Sequence, residues 1–199
     1  MKIFCVGRNY ADHAKELGNA VPENPVIFMK PPSALLMKDK NFYYPEFSKN
    51  IQYECELVIK ISKNGKHIAP KFASTYYSEI TVGIDFTARD LQTELKQKGL
   101  PWELAKAFDN SAVLGDFMPH ENKTIEFSMQ KNEVTVQSGK SSDMIYSFDD
   151  IIVFISQYFT LNKGDLIYTG TPAGVGPIAI GERYSGFIGT NKLFELGIK

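Results

Sequence analysis

The chain has 199 residues, 43% hydrophobic and 23% charged, which is enough to bury a sizeable apolar core with ordinary globular composition. Its formal net charge of −1 comes from interleaved acidic and basic residues, so no basic stripe offers a surface to a nucleic-acid backbone and a nucleic-acid partner is not expected. Two cysteines, Cys5 and Cys55, make neither a disulfide framework nor a zinc-ligand spacing, which suits a reducing compartment.

The N-terminus enters the apolar run Lys2 to Val6 directly, without the core of a signal peptide, and no run approaches membrane-spanning length. A cytoplasmic protein is expected, although an organelle protein stripped of its leader would read the same. Lys2 to Val6 reads as a strand ending at Gly7. Good helix formers follow from Tyr10 to Leu17, with Asn9 placed as an N-cap and Gly18 as a left-handed C-terminal residue. Val26 to Met29 reads as a strand delivered to Lys30-Pro31-Pro32, where the prolines force the chain out of regular structure.

From Gln52 to Ile61 the pattern alternates. Tyr53, Cys55, Leu57, Ile59 and Ile61 fall on one face and Gln52, Glu54, Glu56, Val58 and Lys60 on the other, predicting a strand with one apolar face. Asn64-Gly65 signals a hairpin-type turn. Ile80 to Asp85 reads as a strand. Thr87 is a plausible cap for a helix from about Ala88 to Lys98, closed by Gly99 and Pro101. Strand-like runs recur at Thr124 to Met129 and Glu133 to Gln137. Ser147 and Asp150 resemble a capping box, and the helix they open places Ile151, Ile152, Ile155, Tyr158 and Phe159 at helical spacing. Asp165 to Thr169 and Lys192 to Leu196 complete the strands. Neither a repeat nor a low-complexity linker interrupts this order, so one mixed α/β, mainly β domain over residues 1–199 is expected.

Glu54 and Glu56 lie two apart on an apolar strand, so their carboxylates point the same way and repel unless a cation lies between them. A solvent-exposed strand face is the plainer alternative. Asp85 ends a very apolar strand, where an unpaired carboxylate would be costly. Three carboxylates without obvious His or Cys ligands are hard oxygen donors, suited to Mg²⁺, Mn²⁺ or Ca²⁺ rather than zinc. His13 and Glu16, three apart on the first helix, share a face on which the carboxylate could orient the imidazole to take a proton from water; a surface pair has the same spacing. Lys106, flanked by apolar residues, is either an electrostatic clamp in a pocket or a snorkelling structural lysine. The glycines from Thr169 to Gly176 mark a tight turn or a close approach to ligand, and no phosphate-loop Gly-Lys-Ser/Thr follows.

Gly7-Arg8-Asn9-Tyr10-Ala11-Asp12-His13, Glu54-Cys55-Glu56-Leu57, Asp85-Phe86-Thr87-Ala88-Arg89-Asp90, Gly99-Leu100-Pro101-Trp102, Leu104-Ala105-Lys106 and Thr169-Gly170-Thr171-Pro172 together resemble the fumarylacetoacetate hydrolase family. They occur in the family's order across nearly the whole chain. The likeness is to the small acylpyruvate hydrolases that also act as oxaloacetate decarboxylases, because the extra N-terminal domain of fumarylacetoacetase is lacking. The resemblance implies mixed β-sheets rolled around the active site and a homodimer acting on a small 2-oxo acid. It implies Glu54, Glu56 and Asp85 as ligands of Mg²⁺ or Mn²⁺, and His13 with Glu16 as a water-activating dyad on a lid helix. It also implies Lys106 as the active-site lysine and Arg89, Gln92 and Thr171 as neighbours of the substrate carboxylate. Cys55 replaces the more usual aliphatic residue and is expected to face the core. Alternative activities are oxaloacetate keto–enol tautomerisation and isomerisation of a dicarboxylic dienoate. A non-catalytic metal- or metabolite-binding protein is the alternative of another class.

Overall fold

The structure, a computed structural model, describes residues 1–11, 22–121 and 123–199. The first strand, β1 (Ile3–Gly7), pairs antiparallel with β2 (Val26–Lys30), Ile3 facing Lys30. On its other side β1 runs parallel to β11 (Leu166–Tyr168), and β11 pairs with β4 (Cys55–Ile61). Next in this sheet comes β5 (Tyr77–Asp85), which pairs with both β7 (Ala112–Leu114) and β8 (Met118–Pro119). The result is a seven-stranded sheet in the order β2-β1-β11-β4-β5-β7, with β8 beside β5. A four-stranded sheet joins β10 (Val134–Lys140), β9 (Glu126–Lys131), β13 (Arg183–Ile188) and β14 (Asn191–Gly197), and a small third sheet joins β12 (Gly176–Pro177), β3 (Ile51–Tyr53) and β6 (Thr87–Ala88). Among the described residues three α-helices accompany them: α1 (Arg89–Gln97), α2 (Glu103–Lys106) and α3 (Phe148–Tyr158). The mixed α/β, mainly β class read from the sequence is the one observed.

The run from Gln52 to Ile61 is two strands rather than one. The chain leaves β3 at Glu54 and enters β4 at Cys55, so its two halves belong to different sheets. Both faces of β4 are covered. Cys55, Leu57, Ile59 and Ile61 enter the main core, while Val58 packs with Ile3, Cys5, Leu166 and Tyr168. A strand covered on both faces has no solvated side for a polar stripe, so Glu56 on the second face is buried.

Asn64-Gly65 is not a hairpin turn. The connection from β4 to β5 is long and includes a 3-10 turn over Pro70–Tyr76, and Gly65 instead bridges to Leu161. Its glycine is required by space, because a Cβ there would lie 2.4 Å from the Tyr76 ring. Thr87 does not cap α1; it lies in β6, and the N-cap position is Ala88, without a side-chain hydrogen bond. Ser147 and Asp150 do form a reciprocal capping box at α3. That helix buries Ile151, Ile152 and Ile155, whereas Tyr158 points outward, 63% exposed. The helix expected from Tyr10 to Leu17 lies largely outside the described residues. Asn9 is buried and its amide ties loops together: Oδ1 accepts the Tyr146 N–H at 2.7 Å, and Nδ2 donates to the carbonyls of Tyr146 and Thr169.

Candidate active site

Sheet register brings the carboxylates together. Glu56 on β4 faces Gly83 on β5, and Asp85 lies two residues beyond Gly83 on the same face of the sheet. Gly83 carries no side chain, and the space a Cβ would fill is taken by the Val113 carbonyl, 2.3 Å from that position, and the Tyr168 ring. Glu54 is tied to the end of β5 by its carbonyl, which accepts the Asp85 N–H at 2.8 Å. Ligand oxygens of Glu54, Glu56 and Asp85 all lie within 4.8 Å of one another, and all three residues are buried. The solvent-exposed strand face is therefore excluded for this pair of glutamates.

Two buried lysines and an arginine brace the cluster. Lys106, from α2, donates to Glu54 Oε2 at 2.8 Å, Asp85 Oδ2 at 2.7 Å and Thr87 Oγ1 at 2.5 Å. Burial opposes its charge, but the Asp85 and Glu54 carboxylates outweigh this and hold its pKa above the ordinary lysine value. It is not a snorkelling lysine, being only 3% exposed. Lys30, at the end of β2, lies 2.8 Å from Asp85 Oδ1. Its ammonium also donates to Ser111 Oγ at 2.9 Å and to the carbonyl of Lys106. Arg89 opens α1 with all three guanidinium nitrogens engaged, on Gln52 at 2.8 Å, Gln92 at 2.5 Å and Glu54 at 2.6 Å.

Glu56 is the exception. It is 2% exposed, its Oε2 accepts one backbone N–H, that of Gly170 at 2.7 Å, and no cation of the described residues pairs with it. Burial, then Asp85 and Glu54, push its pKa well above the usual carboxylate range. Gly170 reaches Glu56 from a backbone at φ 102°, where a Cβ would lie 2.7 Å from that of Asn9. Asp85 Oδ1 touches Lys30 without hydrogen-bond alignment. Three converging hard oxygen donors, one without a cation and one without an aligned donor, fit a divalent cation such as Mg²⁺, Mn²⁺ or Ca²⁺.

Arg89, Gln92 and Thr171 line the same cleft as the three carboxylates and Lys106, together with Val6, Gly7, Arg8, Phe28, Lys96 and Trp102. Arg89 is committed to Glu54, and the Thr171 hydroxyl lies between the Cys55 carbonyl at 2.8 Å and Gln137 Nε2 at 2.9 Å. Gln137 also accepts the Cys55 N–H at 2.9 Å, so it fixes the backbone between the two glutamates. Cys55 faces the core, as expected, and burial pushes its thiol far up. His13 and Glu16 lie outside the described residues. Lys30, Ser111, Gln137, Arg8 and Lys96 escaped the sequence reading as site residues. Only Lys30 carried a signal, a lysine ending an apolar strand by the same logic that singled out Asp85.

Residues 2–199 match the C-terminal domain model of fumarylacetoacetate hydrolases. The mitochondrial oxaloacetate tautomerase of Mus musculus is 42% identical over 180 residues, 88% of this chain and 81% of that one. The fumarylpyruvate hydrolase of Pseudomonas aeruginosa, solved in complex with Mn²⁺ and pyruvate, superposes with a TM-score of 0.93 at 36% identity, covering 100% of this chain and 89% of the other. The 5-carboxymethyl-2-hydroxymuconate delta-isomerase of Mycobacterium smegmatis gives a TM-score of 0.86 at 31% identity, covering 99% and 78%.

Proposed function

From the premise that this chain belongs to the fumarylacetoacetate hydrolase family of enzymes, we propose that it converts a small 2-oxo acid through an enolate at a divalent-metal site. The reactions proposed are hydrolysis of the carbon–carbon bond of an acylpyruvate and decarboxylation of oxaloacetate to pyruvate. The observation that carries this reading is the buried triad of Glu54, Glu56 and Asp85, with Glu56 lacking a cation. Glu54, Glu56 and Asp85 would hold Mg²⁺ or Mn²⁺, which supplies polarisation of the 2-oxo carbonyl and charge stabilisation for an enolate. The Lys106 ammonium, held by Glu54 and Asp85, is a fixed positive charge beside the forming enolate oxygen. In the hydrolytic reaction Glu16 would orient His13 to take a proton from water. The hydroxide attacks the distal acyl carbonyl, the carbon–carbon bond breaks, and its electron pair becomes the pyruvate enolate. Decarboxylation releases the same electron pair as CO₂ leaves, without an attacking water. We further propose a homodimer, to be checked by light scattering of the purified protein.

A second reading, oxaloacetate keto–enol tautomerisation, is favoured by the 42% identity to a protein of that name. It uses the same enolate, formed by moving a proton between the α-carbon and the carbonyl oxygen, with no carbon–carbon bond broken. The test incubates the protein with acetylpyruvate and with oxaloacetate, each with EDTA or with added Mg²⁺ or Mn²⁺, following pyruvate release and enol absorbance. Metal-dependent pyruvate supports hydrolysis or decarboxylation, enol loss without pyruvate supports tautomerisation, and no change in either sinks both. His13→Ala should slow hydrolysis by a factor on the order of 10² to 10⁴ if His13 is the general base; hydrolysis at the wild-type rate would remove it from that role.

A further inference from the structure

Strand β5 runs beside the whole of β4, but β11 pairs only with Val58, Ile59 and Lys60. The Glu54 carbonyl turns toward β5, where it accepts the Asp85 N–H, so the N–H and C=O of Cys55 turn toward the edge that β11 leaves open. Buried backbone groups need partners, and here side chains supply them. Cys55 N–H donates to Gln137 Oε1 at 2.9 Å, Gln137 Nε2 donates to Thr171 Oγ1 at 2.9 Å, and the Thr171 hydroxyl donates to the Cys55 carbonyl at 2.8 Å. The ring closes on the residue that separates Glu54 from Glu56.

Its directions follow from the groups in it. An N–H only donates and a carbonyl only accepts, so Gln137 turns Oε1 to Cys55, and its amide nitrogen serves both Thr171 and the Pro172 carbonyl at 3.0 Å. The single proton of the Thr171 hydroxyl goes to Cys55. Thr171 lines the cleft, whereas Gln137 stands behind it, 2% exposed.

The fold is shaped to admit this glutamine. Strand β10 loses step with β9 between Thr135 and Gln137, Val136 being the extra residue, and a bulge of this kind re-aims the side chain beside it. Gln137 is the one fully buried residue of β10. The segment after Thr171 then closes over it: Gly174 has φ 100°, and a Cβ there would lie 2.9 Å from the Val136 carbonyl and 3.4 Å from Gln137 Cγ. At Gly174 the close approach that the sequence marks is to a buried glutamine.

We propose that Gln137 is a positioning residue of the metal site. Through Cys55 it sets the placement of the Glu54 and Glu56 carboxylates, and through Thr171 it ties that placement to the cleft wall. The inference rests on the reading of Glu54, Glu56 and Asp85 as a divalent-cation site. A methionine at position 137 would fill a similar volume while leaving Cys55 N–H and Thr171 without their partner, and the two glutamates would lose their common brace.

The test is calorimetric titration with Mn²⁺ alone, below the melting temperature of every protein compared. The proteins are the wild type, Gln137→Met, Thr171→Val, the double variant, and Ile155→Val, which trims the core under α3 far from the ring. Gln137→Met should weaken Mn²⁺ binding by roughly 10–100-fold, as loss of a group that orients metal ligands does. Thr171→Val opens the same ring with Gln137 in place, should weaken binding in the same sense, and carries the test if Gln137→Met fails to fold. The double variant should bind within about threefold of the weaker single variant, because a ring already open loses little more. Ile155→Val should lower Tm and leave the Mn²⁺ Kd within about twofold of wild type, separating lost stability from lost positioning. Wild-type protein that binds Mn²⁺ while both single variants match it overturns the role of Gln137 alone. Losses that add in full in the double variant overturn the ring as the unit. Wild-type protein that binds no Mn²⁺ overturns the metal-site reading and this inference with it.

Discussion

Lys30 shows how much one buried side chain settles. Its side chain is wholly inaccessible and contacts Asp85 at 2.8 Å, so Lys30→Met would leave the buried Asp85 carboxylate with Lys106 alone of these two cation partners. Breaking such a pair typically costs about 3–5 kcal/mol, and urea unfolding of the variant should show a loss of that order; a loss under about 1 kcal/mol would mean that Asp85 is balanced elsewhere. Lys96 carries a prediction of opposite character. Its ammonium faces Arg8, Arg89 and Lys106 as well as Glu54 and the Trp102 ring, and its pKa is lowered to about 8. It is a cation below that pH and neutral above it, and it lines the cleft, so oxaloacetate kcat/KM should fall as pH rises through about 8, and Lys96→Arg should carry the fall to higher pH. A flat profile in the wild-type protein would separate Lys96 from substrate. The sequence exposed Glu54, Glu56, Asp85 and Lys106 because each breaks an apolar run, where a charge needs a reason. Arg8, Gln137 and Ser111 break no run, and only long-range pairing brings them to the carboxylates. Lys96 sits among other charged residues of an amphipathic helix, so its inward orientation has no signature in composition.

Among the elements, those defined by local chemistry were legible and those defined by remote pairing were not. The capping box at Ser147 is local: its hydroxyl accepts the Asp150 N–H while the Asp150 side chain accepts the Ser147 N–H. Ser147→Ala should cost about 1 kcal/mol, a fall in Tm of roughly 2–4 °C for a chain of this size, and an unchanged Tm would show that α3 is held by its buried isoleucines alone. The break at Glu54 between β3 and β4 has no local cause, since the apolar alternation runs straight through it. It arises because β3 pairs with β6 and β12 while β4 pairs with β5 and β11. That break lies within the acidic pair, so Glu54 and Glu56 reach the cluster from different strand contexts. Gly65 misled for a related reason: the residue beside it in space is Tyr76, eleven positions on, and the glycine answers to that ring rather than to a turn. Strand β13 went unread because Ser185 and Gly186 look like a turn until β9 and β14 flank them.

Across the whole molecule, the candidate site is where distant parts of the chain meet. Lys30 comes from β2, Glu56 and Asp85 from adjacent central strands, Lys106 from a short helix, and Gly170 from the segment after β11. Unfolding separates all of them, so a cation bound by the triad is bound by the folded state and hardly at all by the unfolded one. At Mn²⁺ concentrations about 100 times Kd such linkage stabilises by roughly 2.7 kcal/mol, corresponding to a rise in Tm of about 5–10 °C for a protein of this length. Glu56→Gln removes the carboxylate that lacks a cation partner and relieves like-charge repulsion within the triad. The variant should therefore match or exceed the metal-free wild-type Tm while losing the Mn²⁺-dependent rise. Thermal unfolding of both proteins with EDTA and with Mn²⁺ reads the two effects separately. A Glu56→Gln protein that still gains the full increment would place the metal elsewhere in the molecule, and a wild-type protein that gains none would leave three buried carboxylates to be balanced by Lys30, Lys106 and Arg89 alone.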